Sequence, residues 1–458
     1  MTDVLEKAIA KYLSRHTEPE AALAASLPGD FGHALVVPAY GEQDSLFRLL
    51  ASVPEGLLGK VLITVVLNAR KTSPPRVHDA NQATRERFER TLSSTLVLSA
   101  TPPTRAYAVP GGTLLVVDRA VPGHFLPEGQ GVGLARKIGN DILLALFSAG
   151  RLRSPWLHNT DADTILPRDY FEQLRALDPE GVGSAIYFFD HSFDSDPTLA
   201  EAGRLYEISL RYYVLGLAWA GSPFAYQSMG SCLAVPAPAY AEVRGFPRRD
   251  AAEDFHVLNK LAKVGWIERL SGTPLRLEGR PSDRVPFGTG RALRDLAAGR
   301  EGLSGFRLYH PLVFAHLARW LAVVASIAGS GGDMEKGLAE LPRSSPHFRT
   351  ALLHESLERI GALSAVRDSI RRSRDEKTLL RHVHTWFDAL RTLRLIHALR
   401  DGGIRSLPWR EALSEAPFTG LASSTEDDTE ALRKALAEEE RKLSATRTGV
   451  GTFVLPDA

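Results

Sequence analysis

Apolar runs with strand character recur between residues 33 and 189: His33–Pro38, Val61–Leu67, Thr113–Val117, Trp156–Asn159 and Ser184–Phe189. Segments between them place apolar residues every three or four positions. Val, Ile and Leu runs alternating with helices predict a mostly parallel sheet covered on both faces. Leu134, Ile138, Ile142, Ala145 and Ala149 predict one clear amphipathic helix. Residues 1–26 read as a helix packed on the domain that follows. Past residue 296 strand signals fade and helical periodicity takes over. Leu317–Gly329 reads as a buried helix and Gly329–Gly332 as a loop. Leu379, Val383, Trp386, Phe387, Leu390 and Leu393 place one apolar face on a long helix that Gly402-Gly403 ends. Ser424–Ala445 reads as a charged terminal helix with acids in its first turn, matching the macrodipole. The pattern predicts an N-terminal helix over 1–30, an α/β domain over 31–295 and a helical region over 296–458.

Composition bounds what such a chain does. At 458 residues it exceeds what one compact core usually serves. Its formal net charge of +1 sets up no global field for nucleic acid, so none is expected as a partner. One cysteine, Cys232, excludes an internal disulfide framework and a cysteine-rich zinc site. The first residues carry spread charges and no apolar signal core. The most apolar later stretch is interrupted by Arg319 and is too short to span a bilayer. The expectation is a cytoplasmic protein without a transmembrane segment. The helical region is a candidate surface for a homo-oligomer.

The most informative chemistry is Asp161-Ala162-Asp163, just past the apolar run at Trp156–Asn159. Ligands of open α/β sheets bind beyond the carboxyl ends of strands, and two acids one residue apart suit a hard divalent cation. A solvated turn is the plain alternative. Pro38-Ala39-Tyr40-Gly41-Glu42 follows the first strand, where an aromatic and an acid could stack a base and bond a ribose hydroxyl. Gly129, Gly131 and Gly133 precede the helix bearing Arg136 and Lys137. A glycine-rich helix start suits phosphate, although a plain turn fits equally well. Glu253 and Asp254 fall in the first turn of a helix striped by Leu258, Leu261 and Ala262. The dipole there favours an ionised carboxylate, which is usable as a general base. Arg284 lies in a Pro/Gly/Ser-rich loop and could clamp a diphosphate or an acidic acceptor.

Taken in order, these segments resemble the nucleotide-sugar glycosyltransferases of the GT-A fold, most closely the family 2 type. The resemblance spans residues 33–290 and rests on Val37-Pro38-Ala39-Tyr40-Gly41-Glu42, Gly133-Leu134-Ala135-Arg136-Lys137, Asp161-Ala162-Asp163, Met229–Val235, Gly245-Phe246 and Glu253-Asp254. The chain departs from that pattern in a long Asn68–Asp118 segment. It also departs at Asn68, where an acid is common, at Lys137, where asparagine is usual, and at Pro236, where many members carry a basic residue.

The resemblance implies a Rossmann-like GT-A domain with a C-terminal α-helical region, a nucleoside diphosphate sugar donor and an unidentified acceptor hydroxyl. It implies Mg²⁺ or Mn²⁺ held chiefly by Asp163 with help from Asp161. Pro38, Ala39, Tyr40, Glu42, Asn68, Arg136, Lys137, Asp161 and Arg284 would bind the donor. Asp254 would be the general base of an inverting transfer, and Glu253 would tune it. A retaining transferase making a small glycosylated solute is one alternative, with His256 or His310 as a further metal ligand. A sugar-phosphate nucleotidyltransferase and a non-catalytic GT-A-like binding protein are the others.

Overall fold

A computed structural model describes residues 3–92, 95–193, 196–279, 294–295, 302–330, 348–421 and 428–450. Contacts divide the chain into two compact units. The first comprises Met1–Ser192, Ser228–Val264 and Glu268–Glu278; the second comprises Phe193–Gln227, Gly265–Ile267 and Gly279–Ala458. The segment 193–227, expected in the α/β domain, thus belongs with the helices. The reason is packing: Leu205, Ile208, Tyr212 and Leu215 are buried in the helical core.

In the first unit, α1 (Asp3–Arg15) and the short α2 (Leu23–Ser26) replace the single helix expected over 1–26. Pro19 opens a 3-10 turn between them, since proline has no N–H to continue a helix. There follow β1 (His33–Ala39), α3 (Asp44–Ser52), β2 (Val61–Asn68), α4 (Pro75–Thr91), β3 (Thr95–Ala100), β4 (Pro103–Val109), β5 (Gly112–Arg119) and α5 (Val132–Ser148). Next come β6 (Trp156–Asn159), β7 (Thr164–Ile165), β8 (Val182–Ile186) and β9 (Phe189–Ser192). After α6 (Pro197–Trp219), which belongs to the second unit, the chain forms β10 (Leu233–Pro236), α7 (Ala237–Glu242), α8 (Glu253–Val264), β11 (Trp266–Arg269), whose first two residues count with the second unit, and β12 (Leu275–Glu278).

A nine-stranded sheet has the order β11-β8-β10-β6-β1-β2-β5-β4-β3. Its centre, β6-β1-β2-β5, is parallel, and every residue of β1 and β2 is buried. Near-continuous apolar runs such as Leu62–Leu67, interrupted only by Thr64, belong in strands covered on both faces. The flanks are antiparallel: β10 runs against β6 and β8, and β3-β4-β5 form a meander. That meander was not expected from the sequence. The outer strand β3 leaves Leu96 and Val97 exposed, so its pattern carries no burial signal. The expected strand Ser184–Phe189 is divided into β8 and β9, which pair in different sheets.

Among its described residues beyond 279, the second unit is helical apart from β13 (Arg307–Leu308) and β14 (Leu407–Pro408). After α6 come α9 (Pro311–Ser330), α10 (Thr350–Arg359), α11 (Ala362–Arg372), α12 (Glu376–Trp386), α13 (Ala389–Asp401), α14 (Trp409–Glu415) and α15 (Thr429–Lys442). The loop expected at Gly329–Gly332 is helix through Ser330, and positions 331 and 332 lie outside the described residues. The long helix expected across 379–393 is broken instead. Asp388 caps α13 by accepting from Arg391 N at 3.2 Å, so Leu395, Ile396 and Leu399 become its buried stripe. Glu207, Arg211, Arg433 and Glu440 form a buried ion-pair network joining α6 to α15. Among the described residues no helix is long and apolar enough to cross a membrane.

Candidate active site

The parallel register brings the ends of β6, β1 and β2 to one edge. Val36 pairs with Asn159, and Ala39 with Leu67. The strand after β1 lies on one side of it and β6 on the other, so the strand order reverses beside β1, the position where open α/β sheets bind ligands. Thr160 N donates to Val36 O at 3.1 Å and continues this register one residue past β6. Asn140 on α5 and Asn159 exchange amide hydrogen bonds of 2.7 and 3.2 Å, which pins the strand end to the helix. Asp161-Ala162-Asp163 follows as a turn closed by Thr164 N to Asp161 O at 3.2 Å. The Asp161 side chain remains 41% exposed.

Arg136 organises what surrounds that turn. It stands one turn into α5 and is 1% exposed. Its Nη2 donates to Asp161 Oδ1 at 2.5 Å, its Nε to Glu253 Oε1 at 3.0 Å and its Nη1 to Thr160 O at 3.4 Å. Burial opposes the guanidinium charge, and Asp161 with Glu253 more than restores it. Gly230 makes room for this side chain: a Cβ there would lie 2.6 Å from Arg136 Nη2.

The acid pair stands where the helix pattern placed it, in the first turn of α8. Asp254 accepts from Gly230 N at 2.9 Å through Oδ2 and from Phe255 N at 2.7 Å through Oδ1. Burial pushes its carboxyl up, only partly offset by the Phe255 N–H and Arg136. Glu253 is more enclosed. Burial and then the neighbouring Asp254 push it up to about 7 against the pull of Arg136. Ala252, which leads into this turn, has φ 58°, a left-handed conformation that costs a non-glycine residue about 1–2 kcal/mol. Neither that strain nor the role of the Gly230 N–H has a local signature in the sequence; a glycine just before β10 was the nearest signal.

Other expected site residues are placed differently. Lys137 reaches away from this group. Its Nζ bonds Tyr12 Oη, Asp141 Oδ2 at 2.9 Å and His16 O at 2.8 Å, so it anchors α1. Glu42 is buried, and its Oε2 accepts from Ser45 Oγ at 2.5 Å, where it serves the start of α3. Asn68 is also buried and donates to Ala39 O and Val66 O at 3.0 and 3.1 Å, tying β1 to β2. Pro38 and Ala39 end β1, and Tyr40 stays half-buried with its hydroxyl 3.0 Å from Ser73 Oγ. Asp163 lies in the turn, its carbonyl accepting from Glu278 N at 3.2 Å. His256 is on α8 beside Phe255, and His310 is in the second unit, its Nδ1 accepting from Leu312 N at 3.3 Å. Arg284 lies outside the described residues.

The glycine-rich start of α5 is not an open phosphate cradle. Gly133 N donates to Arg249 O at 3.0 Å. A Cβ on Gly133 would lie 2.2 Å from Pro247 O, and one on Gly131 would lie 2.7 Å from Asp250 Oδ1. These glycines admit the segment that leads into α8. Arg70 then holds Asp250 at 2.7 Å, a link across the sheet edge that the sequence did not signal. The negative charge expected from a ligand around Arg136 and Lys137 is supplied by the protein's own carboxylates.

Among the described residues no three His, Cys, Asp or Glu side chains converge as a closed metal cage. The donor chemistry nonetheless fits a hard cation that keeps water and substrate ligands, because Asp161 is accessible and offers oxygen.

No protein-family model matches the chain. No curated protein matches it in sequence. Among solved structures it is similar to the mannosyltransferase PcManGT from Pyrobaculum calidifontis in complex with GDP-Man and Mn2+, at 15% identity over 96% of each chain with a TM-score of 0.34. It is also similar to S. aureus TarS 1-349 in complex with UDP-GlcNAc, at 12% identity over 82% of this chain and 88% of that one with a TM-score of 0.34. Likeness this loose carries no argument about the chemistry of the site.

Proposed function

We propose that the chain is a glycosyltransferase that moves a sugar from a nucleoside diphosphate sugar to an acceptor hydroxyl with inversion. The observation that carries this reading is Arg136, whose one guanidinium joins Asp161 beyond β6 to Glu253 at the head of α8. An accessible acid at the strand-order reversal and a basic carboxylate pair are thereby held by one rigid cation. Preorganised charge of this kind lowers a barrier where charge develops.

Asp161 and Asp163 would hold Mg²⁺ or Mn²⁺, which when bound offsets charge on the departing diphosphate. Tyr40 and the ends of β1 and β2 border the nucleoside side. Asp254 takes the acceptor hydroxyl proton as that oxygen attacks the anomeric carbon. The bond from that carbon to the diphosphate oxygen breaks, and the nucleoside diphosphate leaves with the electron pair. The raised Asp254 pKa makes its carboxylate a stronger base than a solvated aspartate. The Gly230 and Phe255 N–H groups each hold one of its oxygens and so fix the carboxylate, whose remaining lone pairs take the proton. Glu253, titrating near neutrality, shares the pair's proton.

The test is Asp254→Asn, with nucleoside diphosphate release measured at saturating donor. The expected loss is about 10²–10⁴-fold in turnover with donor affinity kept. Undiminished turnover removes Asp254 from the chemistry.

A further inference from the structure

A cavity of about 630 Å³ opens in the first unit on the face of α5 away from Arg136. Leu134 and Ile138, four residues apart, line it, whereas Arg136 between them points to the opposite helix face. Its volume falls within the range of small-molecule pockets, roughly 300–1,000 Å³. Residues 18–26 form one wall, the turn between β3 and β4 another, and the loop after β5 a third.

The lining has two parts. Leu23, Leu98, Leu134 and Ile138 supply an apolar floor. Above it stand two arginine–glutamate pairs. Arg248 reaches Glu18 Oε1 at 2.8 Å, and Arg119 Nη1 donates to Glu20 Oε1 at 3.2 Å. These charges cancel, so the cavity has no net attraction for an anion such as a nucleotide. Both arginine side chains stay partly exposed, Arg119 by 21% and Arg248 by 49%, so N–H donors remain on the rim beside the glutamates. A hydroxyl serves best, since it accepts from Arg119 and donates to the remaining carboxylate lone pairs.

We propose that this cavity binds a neutral polyhydroxylated ligand of mono- or disaccharide size, hydroxyls on the charged rim and C–H face on the apolar floor. Glu18 links its wall to α5, because Glu18 N donates to Asp141 Oδ2 at 2.8 Å.

The experiment is ligand-observed saturation-transfer NMR on the full chain, without metal or nucleotide sugar, using glucose, mannose, maltose and trehalose as probes and inorganic phosphate as the anion control. Because no donor is present, the outcome is separate from that of the glycosyl-transfer reading. Ser26→Trp fills the cavity from an exposed position, Ala22→Phe does so if that variant misfolds, and Arg119→Met removes one cation of the rim. The expected result is transfer to at least one sugar, with the dissociation constant raised about tenfold or more in each variant. No transfer to any of the four sugars, equal transfer in wild type and variants, or binding of phosphate alone overturns the proposal.

Discussion

At the residue scale the site is a balance of charges around Arg136. Glu253 is the member whose state changes near neutral pH, being pushed up to about 7 from an ordinary value of 4.5. The folded chain therefore holds that proton more tightly than the unfolded chain. The stability this contributes is full below the ordinary value and is lost as pH rises through about 7. Between pH 5 and 8 the melting temperature of the wild type should fall more steeply than that of Glu253→Gln; parallel curves would show that Glu253 is not the titrating group. Gly230 tests the geometry of the same cluster. A Cβ 2.6 Å from Arg136 Nη2 must displace the guanidinium, so Gly230→Ala should cost about tenfold or more in kcat/KM. Retained kcat/KM would mean that Arg136 gives way without consequence. The acid pair and Arg136 were legible in the sequence because each sits at a helix start of clear periodicity. The Gly230 N–H and the left-handed Ala252 were not, since backbone geometry set by distant packing leaves no local pattern.

At the scale of elements, α5 is the spine of the first unit, and its two faces do different work. One face presents Arg136 to the acids. Lys137 turns instead to Asp141, Tyr12 and the carbonyl of His16, which fastens α1. The sequence showed two adjacent cations and suggested a shared anion, yet successive helix residues point about 100° apart and do not face one another. Lys137→Met removes the cation paired with Asp141, which is fully buried, at a cost of about 3–5 kcal/mol. Chemical denaturation should show that loss, with donor affinity in the surviving folded fraction unchanged. Weakened donor binding at intact stability would return Lys137 to the site. The break between α12 and α13 was hidden for a related reason. Apolar residues continued at near-helical spacing through Phe387, and only the capping bond from Arg391 N to Asp388 reveals the stop.

At the scale of the whole molecule, strand order carries the functional argument. The runs at His33, Val61, Thr113 and Trp156 were readable as strands, and they form the parallel centre of the sheet. Their pairing was not readable, because period and hydrophobicity do not say which strand lies beside which. The meander β3-β4-β5 and the transfer of 193–227 to the helical unit are of this kind. What the pairing adds is the placement of Asp161 beside the strand-order reversal, on which the proposed donor binding rests. The most direct test is therefore a thermal-shift titration with UDP- and GDP-sugars, in Mn²⁺ or in EDTA, on the wild type and on Asp161→Ala. A one-site ligand at a hundredfold its dissociation constant should stabilise the fold by about 2.7 kcal/mol. If the site binds donor as proposed, at least one nucleotide sugar raises the melting temperature of the wild type in Mn²⁺, not in EDTA, and not in Asp161→Ala. A shift that persists in EDTA and in the variant, or none with any of these donors, would contradict that proposal.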